Sequence, residues 1–171
     1  MFLFLTQEID YYFQKAVREF DESFLDKFKS KPTYKESIAS RYIIQRYNFP
    51  YHCISHKSWI IFIGFGDNKI WVDIEILKSR EEGLLDYFGD GEYRQFGWKW
   101  WRNFYLLWSV KESLVKKKNL EKLEDWLGFE VVDIDEVDEE ISWVRFGYRG
   151  KIGGCEFLSG VEGELVYSVV R

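Results

Sequence analysis

Two carboxylates stand two positions apart within a run of aromatic and β-branched residues. Asp73 and Glu75 flank Ile74, and side chains at positions i and i+2 of a strand project from the same face. Two carboxylates on one face can bind a common ligand, and a hard cation such as Mg²⁺ favours oxygen donors of this kind. Alternating polar residues are equally typical of a solvated sheet face, so the pair by itself leaves both interpretations open.

A second group of polar residues has helical spacing. Trp108, Glu112 and Lys116 follow one another at intervals of four residues, which places them on one face of a helix. An ordinary ion pair between successive turns explains Glu112 and Lys116 equally well. A third candidate is His56, which follows Ser55 at the end of a predicted strand. A packed or hydrogen-bonded histidine is the alternative at that position.

Hydrophobic periodicity predicts the elements that position these residues. The first half begins with a short buried strand and two amphipathic helices, at residues 1–5, 7–27 and 34–47. Three runs rich in aromatic and β-branched residues then predict strands, at residues 51–55, 59–65 and 69–76. A glycine-containing turn at residues 66–68 predicts that the last two of these strands pair as an antiparallel hairpin.

The second half is predicted to continue with helix and then with strands. Recurring glycines at residues 77–97 indicate a short helix and loops, and residues 99–118 predict one long helix. A short helical piece is expected to end near Gly128. Four more strands, separated by glycine and acidic turns, are predicted at residues 129–134, 141–148, 156–158 and 165–170. The order of elements is typical of an α+β fold.

The composition is that of one folded globular unit. The chain has 171 residues, of which 46% are hydrophobic and 31% charged, enough apolar surface to form a core. A formal net charge of −5 argues against nucleic acid as a partner. Cys53 and Cys155 match no metal or redox spacing, so we expect two buried thiols in a reducing compartment. Residues 1–5 are too short for a signal or a membrane span, which predicts a cytoplasmic protein without a membrane partner.

Four motifs, in one order, resemble those of a known family. They are ISH at residues 54–56, VDIE at residues 72–75, FGDGEY at residues 88–93 and WSVKESLVK at residues 108–116. The set resembles the 4'-phosphopantetheinyl transferase superfamily, and the third motif looks like that family's Phe-x-x-x-Glu element. Because a full half of the chain precedes Asp73, the sequence is similar to the Sfp type. The resemblance is close over residues 51–117 and holds at the two ends in outline.

The resemblance implies a fold, an activity and partners. The implied fold is a single compact unit of two pseudo-symmetric halves, each a small antiparallel sheet packed on a long helix, at residues 1–70 and 71–171. The implied activity is Mg²⁺-dependent transfer of 4'-phosphopantetheine from coenzyme A to a serine of an apo acyl or peptidyl carrier protein. Such carriers serve fatty-acid, polyketide or nonribosomal peptide synthesis. The pseudo-dimeric type implies a monomer.

The resemblance also assigns roles to individual residues. The family's metal ligands match three carboxylates, Asp73, Glu75 and Glu112. Lys116 matches the lysine that contacts a phosphate and supports transfer, and Ser55 and His56 match residues at the phosphate region of coenzyme A. Glu92 is the candidate to accept the proton of the attacking serine, although capping of a glycine-rich loop explains it equally well.

Basic residues are the candidates for binding the 3'-phosphate and the carrier protein. In the family the 3'-phosphate pocket comes from the first half, and Arg41, with Lys35 nearby, matches its helix arginine. Both residues are also explained as solvated helix charges. Lys111 and the lysines at residues 116–118 predict a basic patch for an acidic carrier protein. Stabilisation of a helix end by the macrodipole is the alternative.

Two features depart from the family. Trp71 stands two residues before Asp73, where the family usually has glycine, and strand alternation places its indole on the same face as the carboxylates. The ring is therefore expected to stack on part of the donor, to reshape the pocket or to close it. The segment between Arg41 and Ser55 is also shorter than usual and lacks the customary Gly-Lys-Pro hairpin, which trims the rim of the expected cleft.

Two other functions stay open. A catalytically degenerate relative would keep the fold and bind a nucleotide or a carrier protein; Trp71 favours this function, and the complete set of acidic residues opposes it. An aromatic-rich binding module would use a platform of tryptophans, in a chain with 20% aromatic residues. Its candidates are Trp98, Trp100, Trp101 and Trp108. Helical spacing instead favours core positions for the last two.

Overall fold

The computed structural model describes residues 1–119 and 128–171 and has an α+β architecture. Two antiparallel sheets, of three and five strands, form its centre. The α+β class predicted from the order of the elements is confirmed. Among the described residues, no helix combines the length and the apolar character that crossing a membrane requires.

The strands are β1 Phe2–Thr6, β2 Tyr51–Lys57, β3 Ile60–Gly66, β4 Trp71–Ile76, β5 Val131–Ile141, β6 Val144–Ile152, β7 Cys155–Glu162 and β8 Leu165–Val170. The helices are α1 Ile9–Glu19, α2 Glu22–Asp26, α3 Tyr34–Arg46, α4 Asp90–Gln95 and α5 Trp101–Lys118, with a 3₁₀ helix at Glu82–Tyr87.

The first sheet has the order β1-β3-β2 and carries α1 and α3 on one face. Ile9, Ala39 and Ile43 of the helices share a buried cluster with Ile61 and Ile63 of β3. Every residue of β3 is buried. A strand covered on both faces has no solvated side, which explains why β3 is a continuous apolar run rather than an alternating one.

The second sheet has the order β4-β8-β7-β6-β5 and carries α5. Val110 and Leu114 of α5 belong to one buried cluster with Phe157 of β7 and Val166 of β8. The helix ends at Asn119, whose φ of 52° is left-handed, a conformation that asparagine adopts more readily than most residues. The buried contacts with β7 and β8 hold the long helix over the sheet, next to the β4 edge.

The two sheets pack face to face and complete a four-layer α/β/β/α arrangement. Leu3 and Phe62 of the first sheet share a buried cluster with Val72, Phe146 and others of the second. The approach is close at Gly64, where an added Cβ would lie 2.7 Å from Val72 Cγ1. Glycine is needed there because a side chain on β3 would displace β4.

Two sheet edges, β2 and β4, meet in a seam where side chains replace the strand ladder. Val72 N donates a hydrogen bond to Cys53 Sγ at 3.5 Å, and Ile74 N donates to Ser55 Oγ at 3.3 Å. The outward backbone groups of an edge strand need partners when they are buried. By supplying them, β2 is held alongside the part of β4 that contains Asp73.

The predicted hairpin between the strands at residues 59–65 and 69–76 is wrong. β3 pairs with β1 and β2, whereas β4 pairs with β8 in the other sheet. Both edges of β3 are occupied, so β4 has no edge on which to pair despite the turn signal between them. The tight hairpin instead joins β2 to β3 through Ser58 and Trp59, which have φ of 44° and 69°.

Other boundaries also differ from the predictions. The first helix is two, because the backbone at Phe20 is extended, with φ −91° and ψ 143°. The predicted acidic turn before residue 141 is part of β5, an edge strand whose acidic side chains remain solvated. The strand predicted at residues 141–148 begins in a turn, at Ser142 and Trp143. The short helical piece predicted before Gly128 lies outside the described residues.

Candidate functional site

Asp73 and Glu75 lie on β4 and are almost enclosed. Their exposed fractions are 5% and 7%. In the register of β4 with β8 they stand opposite Ser168 and Val166, so both face the same side of the sheet. A carboxylate taken out of water needs hydrogen bonds or a cation nearby. The neighbouring elements supply both.

The helix α5 adds a third carboxylate to this pair. Burial raises the pKa of Glu112, and the negative charges of Asp73 and Glu75 raise it further, against an opposing effect of Lys116. Burial also raises the pKa of Glu75, against the hydrogen bond from Lys57, and Asp73 adds to the rise. Glu112 lies on α5 between Ser109, whose Oγ donates to Asp73 O at 3.4 Å, and Lys116, whose Nζ donates to Asp73 Oδ1 at 2.8 Å. The structure therefore gathers them in one region.

Two lysines from different elements bind the enclosed pair. Lys116 Nζ, on α5, donates hydrogen bonds to Asp73 Oδ1 at 2.8 Å and to Val72 O at 3.0 Å. Lys57 Nζ, on β2, lies 3.1 Å from Glu75 Oε1 and 2.8 Å from Glu75 Oε2. The ion pair of Lys116 is thus made to Asp73 across the seam rather than to Glu112 one turn away.

Small hydroxyl side chains let α5 approach the strands closely. Ser109 Oγ and Ser113 Oγ share hydrogen bonds of 3.0 and 2.8 Å with Ser168 Oγ on β8. From β2, Ser55 Oγ donates to Asp73 Oδ1 at 3.0 Å. Larger residues at the two α5 positions would push the helix away from β4, and Glu112 with it. These serines therefore position the carboxylates.

The carboxylates fit a cation by their chemistry, although the two lysines now engage Asp73 Oδ1 and both oxygens of Glu75. Within the described residues, no group of three or more His, Cys, Asp or Glu side chains is arranged to hold a metal ion. Asp73 Oδ2, however, is buried and has no hydrogen-bond partner in the described part of the chain. An orphaned oxygen beside two carboxyls of raised pKa favours a bound cation, because a cation compensates all three. All the donors are oxygens, which suits Mg²⁺.

His56 is only partly brought to this region. By strand alternation it projects from the face of β2 opposite to Ser55 and Lys57. Burial lowers the pKa of His56; Glu36 opposes this, and Lys116 and Lys31 add to it. The imidazole therefore projects away from the side chains of Ser55 and Lys57, which contact Asp73 and Glu75.

Glu92 lies away from the carboxylates. Its Oε1 is 2.9 Å from Nζ of the fully buried Lys111 and accepts a hydrogen bond from Val131 N at 3.2 Å. Because an α-helix turns about 100° per residue, Lys111 and Glu112 leave α5 in different directions. The contacts of Glu92 join α4, α5 and β5, as expected of a residue with a structural role.

The basic residues expected to bind the 3'-phosphate have other partners. Lys35 Nζ lies 2.7 Å from Asp10 Oδ1, on α1. Arg41 Nη1 donates to Ser37 O at 3.2 Å, and its guanidinium stacks 4.4 Å from the centre of the Phe28 ring. The structure therefore does not bring Lys35 and Arg41 to the seam.

The lysines at the end of α5 do not form the predicted basic patch together with Lys111, which is fully buried. Lys116 is bound to Asp73. Lys117 Nζ lies 5.0 Å from the centre of the Trp71 ring, and Lys118 Nζ lies 5.1 Å from that of Phe129. Successive helix positions point in different directions, so the charges are spread over the surface.

Trp71 forms the wall of a cavity and does not fill the site. The cavity has a volume of ≈ 330 Å³ and is lined by Trp71, Lys116 and residues of β2 and the segment before β4. A second cavity of ≈ 130 Å³ lies at the other end of the pair, lined by Lys57, Glu75 and the aromatic side chains of Phe104, Tyr105 and Trp108, among others. The carboxylates thus lie between two recesses.

The tryptophans do not share one exposed platform. Trp101 is buried, Trp108 is half-buried, and Trp98 and Trp100 are exposed in the segment before α5. The core position predicted for Trp101 from its helical spacing is confirmed.

The sequence interpretation missed Lys57. Strand alternation carries the signal, because Lys57 stands two residues after Ser55 and so projects from the same face of β2. Lys69, which lines the larger cavity, was also missed. Lys117 was singled out only as part of the basic patch, since nothing in its spacing connects it to Trp71.

Compared with models of known protein families and with curated proteins, the sequence gives no significant match. The resemblance therefore rests on the sequence motifs alone.

Proposed function

We propose that this protein transfers 4'-phosphopantetheine from coenzyme A to a serine of an apo carrier protein. The observation that carries the proposal is the convergence of three carboxylates from β4 and α5, with Lys116 among them. These are the residues that the family resemblance selects by motif. Two motifs far apart in the sequence thus contribute to one recess, as a site for pyrophosphate chemistry requires.

We propose that a divalent ion binds at Asp73, Glu75 and Glu112, although the described residues hold no preformed group of three metal-binding side chains. When bound, Mg²⁺ neutralises negative charge that develops on the phosphoryl and leaving oxygens. The orphaned Asp73 Oδ2 and the raised pKa values of Glu75 and Glu112 support this assignment.

Lys116 is suited to contact a phosphate of the donor. An ammonium group has three N–H donors, and within the described residues two of them are used, by Val72 O and Asp73 Oδ1. The third N–H is available to a phosphate oxygen beside the carboxylates. Lys116 would then hold the donor and Asp73 in a fixed relation.

The reaction breaks the bond between the phosphate bearing pantetheine and the oxygen that links it to adenosine 3',5'-bisphosphate. The serine oxygen forms the new bond to phosphorus, and the serine proton must pass to a base. Since Glu92 is engaged by Lys111 and Val131 N, we assign proton acceptance to the carboxylate region rather than to Glu92. Lys116 orients the phosphate for this attack.

The arrangement of the two sheets agrees with a pseudo-dimeric transferase. Each sheet packs on a helix, α3 or α5, and the chain changes from one sheet to the other between Gly66 and Trp71. We propose that residues 1–70 and 71–171 are the two halves of the fold, and that the protein acts as a monomer in the cytoplasm.

The test is to mix the purified protein with coenzyme A, Mg²⁺ and a panel of apo carrier proteins, and to measure the carriers by intact-mass spectrometry. We expect phosphopantetheine to be added to at least one carrier. This modification should be lost when a chelator is added or when the Glu112→Gln variant replaces the wild type. A panel without any modified carrier contradicts the proposal. A signal indifferent to chelator contradicts the metal assignment.

A degenerate relative is the second candidate, and one contact favours it. Lys57 engages both oxygens of Glu75, as a resident cation in a site that has lost its metal would. Such a protein would bind nucleotide and leave every carrier unmodified in the assay above.

A further inference from the structure

The larger cavity, beside Asp73, has the lining of a nucleotide site. It is ≈ 330 Å³ in volume and opens next to the seam between β2 and β4. Three lysines, one histidine and two aromatic rings line it, namely Lys69, Lys116, Lys117, His52, Tyr51 and Trp71. Lys116 also binds Asp73, so the cavity and the carboxylates share a residue.

The charge of this cavity is opposite to that of the protein. The chain carries a formal net charge of −5, yet no acidic side chain is among the residues that line the cavity. In the part of the chain that the structure describes, Lys69 and Lys117 form no ion pair with a carboxylate; Lys117 instead lies over the Trp71 ring, 5.0 Å from its centre. Unpaired ammonium groups around one recess repel each other, and an anion relieves the repulsion.

The aromatic residues narrow the class of anion. Tyr51 is exposed and Trp71 is half-buried, so both rings are accessible from the cavity they line. Aromatic side chains that line a recess together with lysines are suited to a ligand with a planar ring and phosphates, because a base stacks on a ring while lysine contacts phosphate. A simple inorganic anion would contact the lysines but would not stack on either ring.

The first half of the chain offers no comparable site among the residues singled out from the sequence. Lys35 is paired with Asp10, and Arg41 is engaged by Ser37 O and Phe28. A phosphate bound there would have to displace these contacts. The unpaired lysines of the cavity require no such exchange.

We propose that this cavity binds a nucleoside bisphosphate, with Trp71 or Tyr51 stacking on the base and Lys69 and Lys117 contacting the phosphate remote from the carboxylates. The identity of the ligand as the nucleotide end of coenzyme A rests on the proposed function. The nucleotide site itself does not, since it follows from the lining of the cavity. Trp71 is then a binding surface in place of the glycine that the family usually has.

The test is calorimetric titration of the full chain with adenosine 3',5'-bisphosphate, in chelator and without a carrier protein. Wild type is expected to bind one equivalent. Lys69→Ala with Lys117→Ala should weaken binding at least tenfold, and Trp71→Ala about fivefold to 100-fold, the loss associated with one stacked base. Trp71→Phe, which keeps a ring, should stay within about fivefold of wild type and controls for disturbed folding of the alanine variant.

A matched control removes the same charge elsewhere, by Lys15→Ala with Lys29→Ala on α1 and after α2, and is expected to leave binding unchanged. Adenosine and inorganic phosphate, each titrated alone, should bind more weakly than the bisphosphate. The inference is overturned if wild type does not bind, if the cavity variants bind as wild type does, or if Lys35→Ala alone abolishes binding.

The outcomes separate this inference from the proposed function. Bisphosphate binding that depends on Lys69, Lys117 and Trp71, with every carrier left unmodified, sustains the nucleotide site and contradicts the transferase. Transfer with an unchanged KM for coenzyme A in the Lys69→Ala, Lys117→Ala variant sustains the transferase and contradicts the nucleotide site.

Discussion

The two long helices α3 and α5 pack on their sheets with opposite chemistry. α3 contacts the first sheet through an apolar cluster that includes Ala39 and Ile43. α5 contacts the second sheet partly through apolar residues and partly through buried serines, with Glu112 at the edge beside Asp73. Burying aliphatic side chains stabilises the fold, whereas burying carboxylates costs free energy. On the proposed function, α3 serves stability and α5 serves chemistry.

The magnitudes support this division. Each fully buried aliphatic side chain stabilises the fold by about 1.5–3 kcal/mol. Stability alone therefore explains the apolar residues of the α3 interface. A buried polar atom without a partner costs about 1–3 kcal/mol, and Asp73 Oδ2 is such an atom among the described residues. Among the described residues this cost falls on β4 beside α5, and no such atom is found on α3. On the proposed function, the difference reflects a ligand beside Asp73.

The largest expected effect is the loss of transfer on changing Glu112 to glutamine. The variant keeps the shape of the side chain and removes one negative charge from the cluster, so transfer should fall at least about 100-fold. The measurement is the rate of carrier modification by intact mass.

The matched control for that change is Glu22→Gln, at an exposed glutamate of α2, which should transfer as wild type does. If Glu112→Gln kept more than half of the wild-type rate while folding normally, α5 would not be the helix that serves chemistry.

The second largest effect tests the role of the α3 interface in stability. Ile43→Ala leaves a cavity in the α3 interface, where Ile43 is 1% exposed, and should lower the free energy of unfolding by about 2–4 kcal/mol. Urea denaturation measures the loss, and transfer per folded molecule should be retained well below the melting temperature. If transfer per folded molecule fell in proportion to the loss of stability, α3 would contribute to the activity as well as to the fold.

A smaller effect concerns pH. The pKa of Glu112 is raised in the folded protein, so its ionised form opposes folding at neutral pH, and the opposition disappears as the pH falls through that pKa. In chelator, Glu112→Gln should therefore melt a few degrees above wild type at pH 8, and the difference should shrink as the pH is lowered. Thermal melts across this range measure it; a difference that grows on acidification has the wrong sign.

The smallest effect concerns Lys57, which on the proposed function would compete with a bound metal ion for Glu75. The side chain of Lys57 is 37% exposed, although that of Glu75 is only 10% exposed, so solvent at the lysine limits the ion pair to about 1 kcal/mol. Lys57→Met should therefore strengthen Mg²⁺ binding about twofold to fivefold, as measured by calorimetry, while Lys57→Arg stays near wild type. Weaker binding by the methionine variant would show that Lys57 assists the metal.

The sequence predicted the local geometry of the carboxylates better than their long-range partners. Strand alternation correctly placed Asp73 and Glu75 on one face, because that relation needs only two residues of extended backbone. The same reasoning applied to Ser55 would have found Lys57. The i,i+4 spacing suggested an ion pair between Glu112 and Lys116, but Lys116 instead bonds Asp73, a contact that depends on how α5 crosses β4.

The pairing of β4 could not be predicted locally. The turn at residues 66–68 has the composition of a hairpin, and only the occupation of both edges of β3 by β1 and β2 excludes it. Likewise, the cation–π contact of Lys117 with Trp71 and the ion pair of Lys111 with Glu92 join residues through tertiary packing. Apart from the break at Phe20 and the extent of β5, the predictions were sound within an element. They failed where two elements compete for one partner.

The central claim, that β4 and α5 form one divalent-cation site, is tested most directly by calorimetric titration with Mg²⁺ and, for sensitivity, with Mn²⁺ followed by electron paramagnetic resonance. Wild type is expected to bind one ion, and Asp73→Asn and Glu112→Gln to bind none in the same range, whereas Glu22→Gln binds as wild type does. Wild-type protein without a saturable ion, or the same affinity in all four proteins, would contradict the claim.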